Sequence, residues 1–208
     1  ISSQGDTQIQ TTGLTTNSAT IAAGRELKLN AADIDNSTGT INGQRIDISA
    51  GSLNNTQGKI QQTGAQALAL NAGSINNSNN GLIGYEPLNS GSGSGTGTGS
   101  STGSSSGADT TTTAAGGGSS TVVQPTPVAL ADGQINIQNS INNNAGQITA
   151  NGGINLTATN GLENHATLNL NALKVTGDTL DNSSGVISTT QTDVSVNTVN
   201  NAAGQIQT

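Results

Sequence analysis

The sequence predicts an all-β chain: a right-handed parallel β-helix of about eight coils of 19–20 residues, with a disordered Gly/Ser/Thr-rich loop. Three observations predict it. An aliphatic anchor returns at nearly constant intervals, the residues between anchors alternate with a period of two, and an Asn-rich turn precedes most anchors. The anchors are Ile1, Ile21, Ile41, Ile60 and Ile83, with gaps of 20, 20, 19 and 23, then Ile148, Leu168, Ile187 and Ile206, with gaps of 20, 19 and 19. Repetition at this period is the mark of a solenoid. A unit this short cannot bury its inner face alone, but stacked copies can, each strand pairing in parallel with its counterpart one coil away.

Within each unit two aliphatics follow at alternate positions: Leu27 and Leu29, Ile46 and Ile48, Leu68 and Leu70, Ile154 and Leu156, Val194 and Val196. Alternation of this kind gives a strand one buried face. A third aliphatic usually lies five residues beyond the second, as at Ile34, Leu53 and Ile75. A helical solenoid would need longer 3.6-periodic segments, and abundant Thr, Asn and Gly are poor helix formers. Asn then recurs at Asn36, Asn54-Asn55, Asn76-Asn77, Asn182 and Asn200-Asn201. Asn suits left-handed turns. Stacked at one level, Asn36, Asn55, Asn77 and Asn182 would also form an amide ladder of the kind seen in cross-β structure; a simple turn role accounts for them equally well.

From Ile83 to Ile148 the gap is 65, which leaves room for an insert rich in Gly, Ser and Thr. Such a tract behaves as a flexible coil. Ile135, Ile137 and Ile141 with Asn142-Asn143-Asn144 then resume the pattern. This splits one coil and favours an extruded loop over a linker between two separate stacks. The expected organisation is coils over 1–83, the insert over 84–130, and coils continuing the same stack over 131–208.

Composition excludes several function classes. The chain is 30% hydrophobic and 8% charged, against roughly 45–50% and about 25% for an ordinary domain. It has one Tyr, one His and no Phe, Trp, Met or Cys, so a thiolate metal site and a disulfide are impossible. Net charge is −7, and Arg25, Lys28, Arg45, Lys59 and Lys174 form no run, which disfavours nucleic acid. No apolar stretch approaches the ~20 residues of a membrane-spanning helix. The chain begins at Ile1 without a signal-peptide pattern and reads as an interior piece of something longer.

The segments Asp35-Asn36-Ser37-Thr38-Gly39-Thr40-Ile41, Leu53-Asn54-Asn55-Thr56-Gln57-Gly58-Lys59-Ile60 and Leu180-Asp181-Asn182-Ser183-Ser184-Gly185-Val186-Ile187 resemble the haemagglutinin repeat. That repeat belongs to the filamentous haemagglutinin family, which includes large bacterial adhesins and contact-dependent growth inhibition exoproteins of two-partner secretion systems. Its pattern is an aliphatic residue, Asn or Asp-Asn, a small residue, Gly, any residue, and Ile. The stretch Leu162-Glu163-Asn164-His165-Ala166-Thr167-Leu168 departs from it by lacking the Gly.

The resemblance implies a structural shaft segment of a secreted protein on the outer-membrane surface, with no catalysis in this segment. By the same resemblance its partners are an outer-membrane transporter of two-partner secretion type and a host or neighbouring-cell receptor met by other parts of the chain. The alternative is a β-helical carbohydrate-binding or carbohydrate-active protein.

No catalytic, cofactor-binding or metal-binding residue is assigned, and no cofactor is expected. Asp33 and Asp35 could share a strand face as paired carboxylates, but Asp35 occupies the position of Asp181 beside a turn Asn and reads as a turn cap. His165 occupies a turn slot, and a metal site needs several ligands. Calcium-loop and Walker patterns are absent. Ser and Thr are abundant, but no His base is expected near any of them. Asn36, Asn54, Asn76, Asn155 and Asn182 match Asn-x-Ser/Thr, as chance allows in so Asn-rich a chain.

Overall fold

The computed structural model describes residues 1–85, 133–149 and 154–208. The chain divides into two compact units, Ile1–Leu88 with Val128–Thr208, and Asn89–Pro127. Every described residue belongs to the first. The expected disordered insert therefore lies outside the described residues, apart from Gly84 and Tyr85, which close the strand Leu82–Tyr85.

Among the described residues the structure is all-β with no helix. It is a β-solenoid of about eight turns in which the strand pairings are parallel. The anchors do pile into one column: Ile21, Ile41, Ile60, Ile83, Ile148, Leu168, Ile187 and Ile206 are successive register partners. A second column runs through Ile9, Leu29, Ile48, Leu70, Ile135, Leu156 and Leu173. A third holds Ile34, Leu53, Ile75 and Ile141, then Leu162, Leu180 and Val199. Away from the first and last coils these side chains are buried and form one continuous core. The same stack continues on both sides of the insert, because Leu70 pairs with Ile135 and Ile83 with Ile148.

Coil length is nearly constant, but its distribution around the coil is not. Between the second and third columns the chain advances five residues from Leu29 to Ile34, six from Leu156 to Leu162, and seven from Leu173 to Leu180. Between the first and second columns it advances eight from Ile148 to Leu156 but five from Leu168 to Leu173. One corner grows as the other shrinks.

This exchange corrects one expected equivalence. Val194 and Val196 do not occupy the columns of Leu27 and Leu29. Thr192 takes the place after Leu173, and Val194 joins Val175, Ala158 and Ile137 two residues further along. A period-two pattern fixes which face is inward, but not which inward position a residue holds.

The long coil between Ile60 and Ile83 places one extra residue in the turn after Asn77 and three between Gln62 and Leu70. There the buried Gln62 accepts a hydrogen bond from the Ile46 amide (3.0 Å) and donates to the carbonyl of Gln66. The side chain thus satisfies a backbone donor just before the pairing of Asp47 with Ala69 begins.

Candidate functional site: the stacked asparagine corner

After each third-column aliphatic the chain places one polar side chain outward and the next inward. The inward residue is an asparagine in every described coil: Asn17, Asn36, Asn55, Asn77, Asn143, Asn164, Asn182 and Asn201. Each donates its amide to the carbonyl oxygen of the next. The distances are 2.7 Å from Asn17 to Asn36, 2.7 Å to Asn55, 2.8 Å to Asn77, 2.9 Å to Asn143, 2.9 Å to Asn164, 2.6 Å to Asn182 and 2.7 Å to Asn201. The donors all point the same way along the stack.

The second amide proton is used as well. Asn55 donates to the Leu82 carbonyl (3.1 Å) and Asn182 to the Gln205 carbonyl (3.0 Å), both one coil ahead. From Asn36 to Asn182 these six side chains are fully buried. Burying an amide is costly unless its groups are bonded, and here both ends of each are.

The turn that follows comes in three forms, the longest being Asn77-Ser78-Asn79-Asn80-Gly81 with positive φ at Asn79 (53°) and Asn80 (67°). In the commonest form a residue adopts positive φ, as at Thr38 (61°), Gln57 (56°), Ala145 (54°), Ser184 (60°) and Ala203 (55°), and Gly follows. That glycine is required by proximity. A Cβ on Gly39, Gly58, Gly146, Gly185 or Gly204 would collide with the carbonyl oxygen of the ladder Asn one coil earlier and with the side chain of its own.

The second form is one residue shorter and has no Gly: Asn17-Ser18-Ala19-Thr20 and Asn164-His165-Ala166-Thr167. No positive φ occurs in it. The departure noted at Asn164 is therefore a second turn type that preserves the ladder.

The outward neighbours close Asx turns. Asp35 accepts from the Ser37 amide (3.0 Å), Asn54 from Thr56 (3.2 Å), Asn142 from Asn144 (3.0 Å), Asp181 from Ser183 (2.9 Å) and Asn200 from Ala202 (3.2 Å). Hydrogen bonds from Ser37 hold the Asp35 carboxyl below its ordinary value, and those from Ser183 do the same for Asp181. Asp35 is a turn cap, as its position implies. Asp33 is exposed and accepts from Ser52 Oγ (2.6 Å) in the next coil. Both carboxylates are engaged by the neighbouring coil.

One juxtaposition escaped sequence reasoning. Ser183 Oγ lies 3.1 Å from His165 Nδ1, and His165 Nε2 lies 3.1 Å from Glu163 Oε1. Serine, histidine and carboxylate meet because a residue 18 positions on is a spatial neighbour in a coil of this length. The arrangement is not a nucleophile relay. Nδ1 also faces the Ser183 carbonyl oxygen at 2.7 Å, which can only accept, so that nitrogen carries its proton and cannot take one from the hydroxyl.

Among the described residues no group of three or more His, Cys, Asp or Glu could hold a metal ion. Four of the five basic residues are in ion pairs between coils: Arg25–Asp6 (3.1 Å), Arg45–Glu26 (2.7 Å), Lys28–Asp47 (3.7 Å) and Lys174–Asp193 (3.5 Å). Of the Asn-x-Ser/Thr positions, Asn36 and Asn182 are locked inside the ladder, and the Asn54 amide is given to Asp35 (3.0 Å).

Fold and corner together define a β-solenoid repeat protein built around an internal asparagine ladder. The chain matches no family model, no curated protein and no solved structure.

Proposed function

We propose that this chain is a shaft segment of a large secreted bacterial cell-surface adhesin or contact-dependent growth inhibition exoprotein, and that it performs no catalysis itself. The observation that carries this reading is the unbroken ladder with its in-register columns, from Asn17 to Asn201. Every described coil is tied to the next by backbone hydrogen bonds, by an amide–amide hydrogen bond in the interior and, in places, by ion pairs outside. Such a stack resists separation of its coils, which is what a spacer must do. The sequence pattern of the turns supports the family reading. On that reading the segment crosses the outer membrane through a two-partner transporter and stands on the outer surface, and a receptor is met by other parts of the parent protein.

The test is antibody labelling of intact producing cells, with and without the neighbouring transport-barrel gene. Surface labelling that disappears with the barrel is expected. A chain that stays inside the cell would sink the proposal. So would specific glycan binding that is lost in Asp33→Ala or Asp35→Ala, which would favour a carbohydrate-binding role.

A further inference from the structure

The single histidine sits on one of the two short turns, just outside the 2.6 Å ladder bond from Asn164 to Asn182. Its ring spans two coils. Nδ1 faces the Ser183 carbonyl oxygen at 2.7 Å, one coil ahead, and Nε2 faces the Glu163 carboxylate at 3.1 Å. Both partners are acceptors. A neutral imidazole has one N–H and can satisfy only one of them, whereas the imidazolium satisfies both. The proton lost is the one on Nε2, whose partner Glu163 is half-exposed and lies in the same coil; the Nδ1 bond to Ser183 across the junction remains but ceases to be charge-assisted, and charge-assisted bonds are roughly twice as strong as neutral ones.

We propose that His165 is a proton-dependent bolt between adjacent coils, closed when the ring carries both protons and loosened when it loses one. Among the described residues, the titratable groups acting on the ring are Glu163, from the strand Gly161–Glu163, and Asp181, at the end of Thr167–Asp181. Both are acidic. The Ser183 carbonyl, then Glu163 and Asp181, raise the imidazole above its ordinary value of 6.5, against a smaller opposing effect of burial.

The sign follows from linkage. A group raised on folding contributes stability in full below its unfolded value, about 6.5, and loses it as the pH rises through the higher folded value. The bolt is tight in mildly acidic medium and slackens toward alkaline pH. The other short turn has Ser18 at the corresponding position and no titratable ring, so the device belongs to one coil junction.

As the only His in the chain, His165 gives ring resonances that need no assignment by mutation. An NMR titration should show a midpoint above 6.5, moving down in Glu163→Gln. Hydrogen exchange supplies the structural readout. Once corrected for the intrinsic rate, protection of the Asn164 and Asn182 amides, which donate to Asp181 and Asn200, should fall across that midpoint. The Asn36 and Asn55 amides should not follow, and in His165→Asn the pH dependence at Asn164 and Asn182 should vanish. A midpoint at or below 6.5, or an unchanged exchange profile in His165→Asn, overturns the proposal.

Discussion

Asn54 and Asn55 are chemically identical neighbours with opposite duties. Asn55 is buried and sits between Asn36 and Asn77, while Asn54 lies outside and closes a turn. Asn55→Ala strips Asn77 Oδ1 of its donor and Asn36 Nδ2 of its side-chain acceptor. Each buried unpaired group costs roughly 1–3 kcal/mol, so a loss of about 2–5 kcal/mol is expected in urea unfolding. Asn54→Ala forfeits bonds at the half-exposed surface and should cost about 1 kcal/mol. Equal losses would mean that the ladder does not hold the corner. The sequence made Asn36, Asn55, Asn77 and Asn182 recognisable as equivalents because each is followed by the same kind of turn leading to Ile. It did not single out Asn17 and Asn164, whose turns lack Gly, or decide which of Asn142, Asn143 and Asn144 points inward. Those assignments needed the register.

The elements divide into conserved and adjustable corners. From the third column to the ladder Asn the step is always two residues, as from Ile34 to Asn36, Leu53 to Asn55, Ile75 to Asn77 and Leu162 to Asn164, whereas from that Asn to the anchor the chain takes four residues at Asn164, five at Asn36 and six at Asn77. The asparagine enforces this two-residue step, because one residue more or fewer there would move its amide out of reach of the next. The corner between anchor and second column carries no such link. It takes seven residues from Ile41 to Ile48 and ten from Ile60 to Leu70, and it is where the long insert enters between Ile83 and Ile135. Loop closure costs grow slowly with length. Inserting Gly-Ser-Gly after Ala65 should therefore cost under about 1 kcal/mol. The same insert after Asn54, inside the two-residue step from Leu53 to Asn55, should abolish cooperative unfolding or lower the midpoint severely. Thermal melts followed by circular dichroism distinguish the two, and equal tolerance would contradict the distinction between corners.

At the scale of the molecule, the stack is directional. Ladder donors all face one way, and among the described residues the large exposed hydrophobics gather at the two terminal coils: Ile1 (71% exposed), Leu14 (62%) and Val199 (54%). Open parallel edges invite further strands. As an isolated polypeptide, these 208 residues are expected to associate end to end as concentration rises, read as growing mass in sedimentation velocity. Leu14→Lys combined with Val199→Lys should shift that association to several-fold higher concentration, because a charge on an edge opposes its coverage. Monodisperse monomers of the parent chain at high concentration would show that the edges are not sticky.

The sequence by itself determined the coil and its stacking. Anchors at 19–20 residues, an inward period of two and the recurring Asn leave a chain this poor in aromatics and charge one economical way to bury its Ile, Leu and Val, against copies of the same unit. Tertiary structure decided what depends on neighbours one coil away. It set the true column of Val194, the second turn type at Asn17 and Asn164, and the meeting of His165 with Ser183 and Glu163. The physical reason is that a one-dimensional repeat declares its period locally, whereas the registration of unequal corners is settled only when whole coils pair.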